Sequence, residues 1–160
     1  VAIRMKEPSQ ADLIRKRLMN IRMRLYASPE YLAEHGTPAT MEDFNQHRLI
    51  CQHAGTSQVA AGAMLVAEIM SHDIPSTFTV NNYFGVLQGV LNHLGIGVLP
   101  DYITEDFPHL VRVLPETESS EVPVFLAYPE ELRHSKRVAA FREFVSEEIF
   151  NYRKRQQGAV

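Results

Sequence analysis

Thr77-Phe78-Thr79-Val80-Asn81-Asn82-Tyr83-Phe84-Gly85-Val86-Leu87-Gln88-Gly89-Val90-Leu91-Asn92-His93-Leu94-Gly95-Ile96-Gly97-Val98-Leu99-Pro100-Asp101-Tyr102-Ile103-Thr104 decides the fold class. Phe78 to Val80 is a short β-prone run, and Asn81 and Asn82 are both good helix N-caps. On a helical wheel Val86, Val90, Tyr83, Leu94, Leu87, Leu91 and Phe84 share one arc. Gly85, Gln88, Gly89, Asn92 and His93 share the other. Gly95 sits where a left-handed residue would end the helix. Ile96 to Leu99 is an apolar strand stopped by Pro100, and Asp101 can cap a further helix. Each apolar side chain on the first arc contributes about 1.5–3 kcal/mol when buried, so this helix is a core nucleus. A strand–helix–strand unit this compact implies a parallel crossover.

The whole chain has 160 residues, enough for one ordinary domain or two small lobes. Its apolar share of 45% and charged share of 22% are those of a globular chain rather than a disordered one. No apolar run approaches the about 20 residues needed to cross a bilayer, and no signal peptide is visible. A net charge of −3 gives this chain no electrostatic reason to bind nucleic acid. Arg4, Lys6, Arg15, Lys16, Arg17, Arg22 and Arg24 crowd the first segment, where they read as solvated strand faces and turns. Cys51 is the single cysteine, so no internal disulfide can form and a reducing compartment is the easier reading. Val1 to Met5 reads as a buried strand already under way, and the chain reads as a fragment of a longer protein.

Outward from the opening unit, Lys6 to Asp12 is a polar turn and Leu13 to Leu18 a strand. Ile21, Met23, Leu25 and Ala27 alternate with Arg22, Arg24 and Tyr26 as in a half-buried strand. Ser28 and Pro29 start a helix that Gly36 closes. Thr40 and Asp43 resemble a capping box opening a short helix over Met41 to Gln46. His47 to Gln52 returns to strand, Ala60 to Ser71 fits a helix diluted by an Ala-Gly-Ala run, and Asp73 to Ser76 is a turn. Tyr102 to Phe107 is a short helix, Leu110 to Leu114 a strand, and Pro115 to Glu121 an exposed acidic connection. Val122 to Ala127 is a strand, and Ser135 caps a last helix with Val138, Phe141, Val145, Ile149 and Tyr152 on its apolar stripe. The sum is an α/β chain with a mostly parallel sheet, and the acidic connection suggests a passage from one lobe to another.

Seven histidines are scattered without close ligand spacing, which gives no zinc motif. No nucleophile elbow, phosphate-binding loop or dinucleotide fingerprint is present. Cys51 follows Leu49 and Ile50 and reads as a buried, inert thiol. The residues therefore supply no catalytic set, no metal site and no cofactor site. Asn81, Asn82 and Tyr83 differ. They sit at the carboxyl end of a strand and the amino end of a helix, where free N–H groups and the helix dipole favour a small anion. Two asparagines that cap a helix and do nothing else fit the same residues, so both readings stand.

Taken in order, the residues resemble a family. Tyr26-Ala27-Ser28-Pro29-Glu30-Tyr31-Leu32, then His35-Gly36-Thr37-Pro38, Asp43-Phe44 and His47-Arg48-Leu49-Ile50, are similar to the middle of LysR-type transcriptional regulators. So is Val80-Asn81-Asn82 leading to Gly95-Ile96-Gly97-Val98-Leu99-Pro100-Asp101-Tyr102. Ser135-Lys136-Arg137-Val138 and Phe141-Arg142-Glu143-Phe144 resemble the family's closing helix. The match is to the C-terminal effector-binding domain and extends over nearly the whole chain.

The resemblance implies a two-lobed type 2 periplasmic-binding-protein-like fold, α/β throughout, with the first lobe incomplete in this chain. Residues 1–20 and 122–160 would belong to lobe I, and 21–121 to lobe II with the crossing strands. Ile21 to Ala27 would cross outward and Glu116 to Val124 would return. A small-molecule effector would lie in the interlobe cleft against Asn81, Asn82, Tyr83, Gly97 and Val98 from lobe II, with Arg4 and Met5 facing them. Gly97 would permit close backbone approach, and the asparagines would donate to a carboxylate. DNA would be bound only through a winged helix-turn-helix absent from this chain. A cytoplasmic homodimer or higher homo-oligomer, with no membrane contact, is expected. The competing readings are a solute-binding protein of the same architecture without a transcriptional role, and a small α/β enzyme.

Overall fold

The computed structural model describes residues 1–7, 12–53, 59–72, 74 and 76–158. The expected turns over Lys6–Asp12 and Asp73–Ser76 fall largely outside them. The chain divides into two compact units, residues Val1–Asn20 with Val122–Val160, and Ile21–Glu121.

In the first unit, β1 (Ala2–Arg4), β2 (Leu13–Ile21) and β8 (Val122–Pro129) form a sheet in the order β1-β8-β2. β1 runs antiparallel to β8 with Ile3 opposite Leu126. It lies at the sheet's edge rather than in the interior, and Val1 and Ile3 are exposed. Ser135 precedes helix α4 (Lys136–Gly158) and accepts the Ala139 N–H through its carbonyl. Arg153 donates to the Leu18 carbonyl and Lys16 to the Ser146 hydroxyl, which tethers α4 along β2. The inward stripe is Val138, Arg142, Val145, Ile149 and Tyr152. Phe141 is left exposed because spacing of i, i+4, i+7 favours Arg142 at that turn, where the guanidinium reaches Tyr128.

The second unit carries β3 (Met23–Ala27), α1 (Pro29–His35), a 3₁₀ turn at Glu42–Gln46, β4 (Arg48–Gln52), α2 (Ala60–Met70), β5 (Ser76–Val80), α3 (Tyr83–Leu91), β6 (Ile96–Pro100), a 3₁₀ turn at Asp101–Glu105, and β7 (Val111–Arg112). Its sheet runs β5-β4-β6-β3-β7. β4 pairs in parallel with both β5 and β6, whereas β3 pairs antiparallel with β6 and β7. The sheet is therefore mixed rather than mostly parallel. β4 also stands between β5 and β6, so the crossover of the opening unit spans one intervening strand. β6 is buried along its whole length, as a strand covered on both faces must be.

Local chemistry sets the boundaries. Ser28 accepts the Tyr31 N–H at 3.2 Å, Pro29 fills the first helical position, and Gly36 closes α1 at φ 82°. Asp43 accepts the Ala39 and Thr40 N–H groups, the backward half of the expected capping box, while no side chain caps the turn in the forward sense. On α3, Val86, Leu87 and Val90 are buried together with Gly89, which packs against Ile50. Phe84 and Leu94 are exposed, so the apolar face is narrower than the wheel suggests.

Helix α3 ends at Leu91, and its left-handed cap falls two residues before Gly95. His93 takes the left-handed conformation at φ 60°, with Leu94 N–H bonded to Gly89 O and His93 N–H to Val90 O, the Schellman arrangement. Gly95 answers a different need: a Cβ there would lie 2.5 Å from the Arg48 carbonyl oxygen. The expected strand over Leu110–Leu114 shortens to the two residues of β7, and Leu114 turns at φ 46°.

The connection over Pro115–Glu121 is not wholly exposed. Ser119 is buried, exchanging hydrogen bonds with Met23 through its hydroxyl and backbone N–H. Glu118 receives Arg24 Nε at 2.9 Å and Arg112 Nη2 at 2.9 Å, and Arg22 pairs with it at 3.2 Å. Burial works against ionisation of Glu118, but these three guanidinium groups hold its carboxyl below the ordinary range.

Candidate functional site

The carboxyl ends of β4 and β5 meet the amino end of α3. Gln52 lies opposite Val80 in the parallel ladder, and the His53 N–H donates to the Val80 carbonyl at 2.8 Å, so both strands stop together. Gln52 Nε2 donates to the Asn81 carbonyl at 3.0 Å. Asn82, in extended backbone, caps α3 by accepting the Gly85 N–H at 2.8 Å, and its Nδ2 donates to Asn81 Oδ1 at 2.7 Å. Both asparagines are exposed. The cap uses the Asn82 oxygen and the pair uses its nitrogen, which leaves Asn81 Nδ2 as the amide donor outside that exchange.

Tyr83, the first residue of α3, reaches toward α2. A Cβ added to Gly62 would lie 2.8 Å from the Tyr83 hydroxyl and 3.3 Å from Met23. Gln52, Gly62, Ala63, Val66, Tyr83 and Val98 line a narrow slot into which no water-sized sphere fits. The slot is neutral and mainly apolar, with amide and phenol groups among its polar atoms. Helix α2 begins at Ala60 after Val59, with no side-chain cap on its first turn. Its small residues, which dilute the helix signal in the sequence, are what let it approach Tyr83.

Of the residues expected at a binding site, Asn81, Asn82, Tyr83 and Val98 gather at this end of the sheet. Gly97 lies on the other face of β6 from Val98. A Cβ there would sit 2.4 Å from Val90 and 3.0 Å from Val86, so the glycine lets α3 press onto the strand. Arg4 ends β1 in the first unit and is exposed, and Met5 follows it, partly buried. Gln52, Gly62, Ala63 and Val66 were not singled out by the sequence. A polar residue closing the apolar run Leu49-Ile50-Cys51 is the signal that marks Gln52. Cys51 is buried, and burial raises its thiol pKa, as expected of an inert cysteine. Among the described residues no group of three or more His, Cys, Asp or Glu side chains could hold a metal ion, and no helix is long and apolar enough to cross a membrane.

Comparison with known proteins identifies the family. The family described as the LysR substrate binding domain matches residues 1–149. The chain belongs to that family. Among relatives of this LysR substrate-binding domain is the HTH-type transcriptional regulator CrgA of Neisseria meningitidis serogroup C (strain 8013), 28% identical over 155 residues, covering 94% of this chain and 52% of that protein. A probable HTH-type transcriptional regulator, LtrA of Klebsiella pneumoniae, is 28% identical over 157 residues, covering 93% and 50%. The LysR substrate-binding domain thus spans about half the length of the curated relatives it matches. These relatives are regulators and not enzymes. In three dimensions it resembles the CrgA regulatory domain of Neisseria meningitidis, with a TM-score of 0.73 and 25% identity over 92% of this chain and 74% of that one. It also shares the fold of the regulatory domain of AphB from Vibrio vulnificus (C227S variant), with a TM-score of 0.64 and 21% identity over 89% and 75%. The fold is the type 2 periplasmic-binding-protein-like α/β fold.

Proposed function

We propose that this chain is the effector-sensing domain of a LysR-type transcriptional regulator, and that it binds a small anionic metabolite in the interlobe cleft to control transcription. The observation that carries the binding site is the meeting of the α3 amino terminus with the carboxyl ends of β4 and β5, around Gln52, Asn81, Asn82 and Tyr83. Helix N–H groups and amide donors there suit a carboxylate, and the apolar walls from Val66 and Val98 suit a short carbon skeleton. Tyr83 narrows the slot against Gly62, so the effector enters as Tyr83 moves aside. Arg4 and Met5 are retained as first-lobe members on the family resemblance, as are the homodimer, the cytoplasmic setting and DNA contact through a separate helix-turn-helix. Effector binding shifts the population of domain conformations, and the shift is read by the DNA-binding elements.

A thermal-shift screen of small carboxylic acids against the full-length protein tests this, because a ligand of the folded state raises its melting temperature by mass action. Asn82→Ser is the informative variant, since serine keeps the helix cap and removes the amide. Calorimetry should show affinity for the hit weakened by roughly tenfold, the scale of one hydrogen bond to a charged group. Unchanged affinity would remove Asn82 from the site, and a full screen without any stabilising acid would count against the anionic effector.

A further inference from the structure

A second and wider opening lies elsewhere on the same unit, at the amino end of β4 and the carboxyl ends of α1 and α3. It gives water-sized spheres ≈ 240 Å³, and Tyr31, His35, Asn45, His47, Arg48 and His93 are among its lining residues. The four steps from Arg48 to Gln52 put it about 13 Å along β4 from the slot. Three of its histidines come from the stretches Tyr31 to His35, Asp43 to Arg48, and Asn92 to Gly95, which the proposed effector site does not use.

Each ring is held by a specific partner. Tyr31 Oη accepts the Arg48 N–H at 3.2 Å and lies 3.2 Å from His47 Nδ1. Tyr31 Oη thus links the Arg48 backbone to the His47 ring. His35 stacks on Tyr31 with centroids 4.4 Å apart, and its Nδ1 lies 3.2 Å from the Tyr31 carbonyl, which only a protonated Nδ1 can satisfy. His93 Nδ1 lies 2.8 Å from Ser28 Oγ and 3.6 Å from Glu30.

Every charged or protonatable side chain of the lining other than the Tyr31 phenol is basic: His35, His47, His93 and Arg48. Two carboxylates lie close to the lining without being part of it. Glu30 is beside His93, and Asp43, engaged by the Ala39 and Thr40 N–H groups, acts on His47 through its charge. Among the described residues these rings form no group of three or more side chains that could hold a metal ion.

We propose that this opening is a second ligand site, for a small oxyanion of the phosphate or carboxylate class, with the Arg48 guanidinium and the histidine N–H groups as its donors. Binding takes up protons, since an anion among imidazoles favours their charged form.

Isothermal titration of the full-length protein with inorganic phosphate, and separately with acetate, tests it at about pH 6 and about pH 8. One saturable site is expected, tighter at the lower pH by at least about threefold. Saturation by phosphate alone assigns the site to phosphate groups, and by acetate alone to carboxylates. Arg48→Met and His93→Asn should each weaken it about tenfold; asparagine tolerates the left-handed backbone at position 93. Thermal unfolding without anion separates misfolding from lost binding, and His93→Asn decides the matter if Arg48→Met does not fold. Asn82→Ser should leave this binding unchanged, which keeps the test independent of the effector site. Absence of saturable binding by either anion, or binding indifferent to pH and to both substitutions, overturns the proposal.

Discussion

Arg24 Nε lies 2.9 Å from Glu118 Oε2, joining the first strand of the second unit to the segment by which the chain leaves it. The pair is reinforced around it. Arg112 Nη2 reaches the same oxygen and also the Pro115 carbonyl, and Arg22 bonds the other Glu118 oxygen and the Ser119 carbonyl. Burial lowers the Arg24 pKa, but the Glu118 hydrogen bond and the Asp101 and Glu118 charges more than offset it, so its pKa is raised. One carboxylate thus bridges three guanidinium groups, with Asp101 and Glu121 supplying further negative charge to Arg24 and Arg22. Replacing it leaves like charges facing one another across the two segments. Glu118→Ala should cost roughly 1.5–3 kcal/mol, the range for hydrogen bonds to charged groups, and Glu118→Gln less. A urea midpoint unchanged in Glu118→Ala would show that the network holds nothing together.

Two glycines make a second, ranked prediction. At Gly95 a Cβ would meet the Arg48 carbonyl oxygen at 2.5 Å, and these two residues immediately precede the paired Leu49 and Ile96 of β4 and β6, so the strand ends must part. At Gly36 nothing lies within 4 Å, and the cost comes only from placing a side chain at φ 82°. Gly36→Ala should cost about 1–3 kcal/mol, the scale for holding a non-glycine residue in so sparsely populated a backbone region. Gly95→Ala should exceed it, since overpacking against backbone cannot relax by a rotamer change. Equal unfolding midpoints for the two variants would contradict the contact at Gly95.

These residues also show what the sequence made legible. Ser28, Pro29 and Gly36 bound α1 because their effect is local, and Asn82 caps α3 for the same reason. The role of Gly95 was misread because a left-handed cap and a close approach to a strand far along the chain leave the same letter in the sequence. His93 took the cap instead, with its ring held by Ser28, a partner 65 positions away. The acidic connection misled for a related reason: three glutamates and two serines read as solvent-exposed until Arg22, Arg24 and Arg112 are brought beside them. At the candidate site, the polar entrance Asn81 to Tyr83 was visible as a strand end followed by caps. Its opposite wall, Gly62 and Ala63, was not, because small residues carry no chemistry until packing shows what they make room for.

Ser28 has a double duty that a third prediction isolates. Its hydroxyl accepts the Tyr31 N–H and meets His93 Nδ1 while being almost fully buried. Ser28→Ala removes the cap of α1 and leaves both groups without that partner. The expected loss is about 1–2 kcal/mol, toward the upper end for an N-cap. A double-mutant cycle with His93→Asn should show coupling of at least about 0.5 kcal/mol, and strict additivity would mean that the two side chains do not act together.

His47 sets a pH dependence. Burial, followed by the nearby His35, lowers its pKa from the ordinary histidine value, and Asp43 only partly opposes them. The folded protein therefore holds His47 neutral at pH values where the unfolded chain has begun to protonate it, near the model-peptide value of about 6.5. Above that value neither state carries the proton and His47 adds no pH dependence. As pH falls below it the unfolded state binds more protons, so stability declines until pH passes the lower folded-state pKa, and then levels off. Charged His47 presents Nδ1 only as a donor, and the Tyr31 oxygen it faces already accepts the Arg48 N–H. Urea unfolding followed from about pH 8 to about pH 5 should show the decline in the wild-type protein and a shallower one in His47→Gln. If the two profiles run parallel across that window, some other group carries the acid sensitivity and the Tyr31–His47 bond does not.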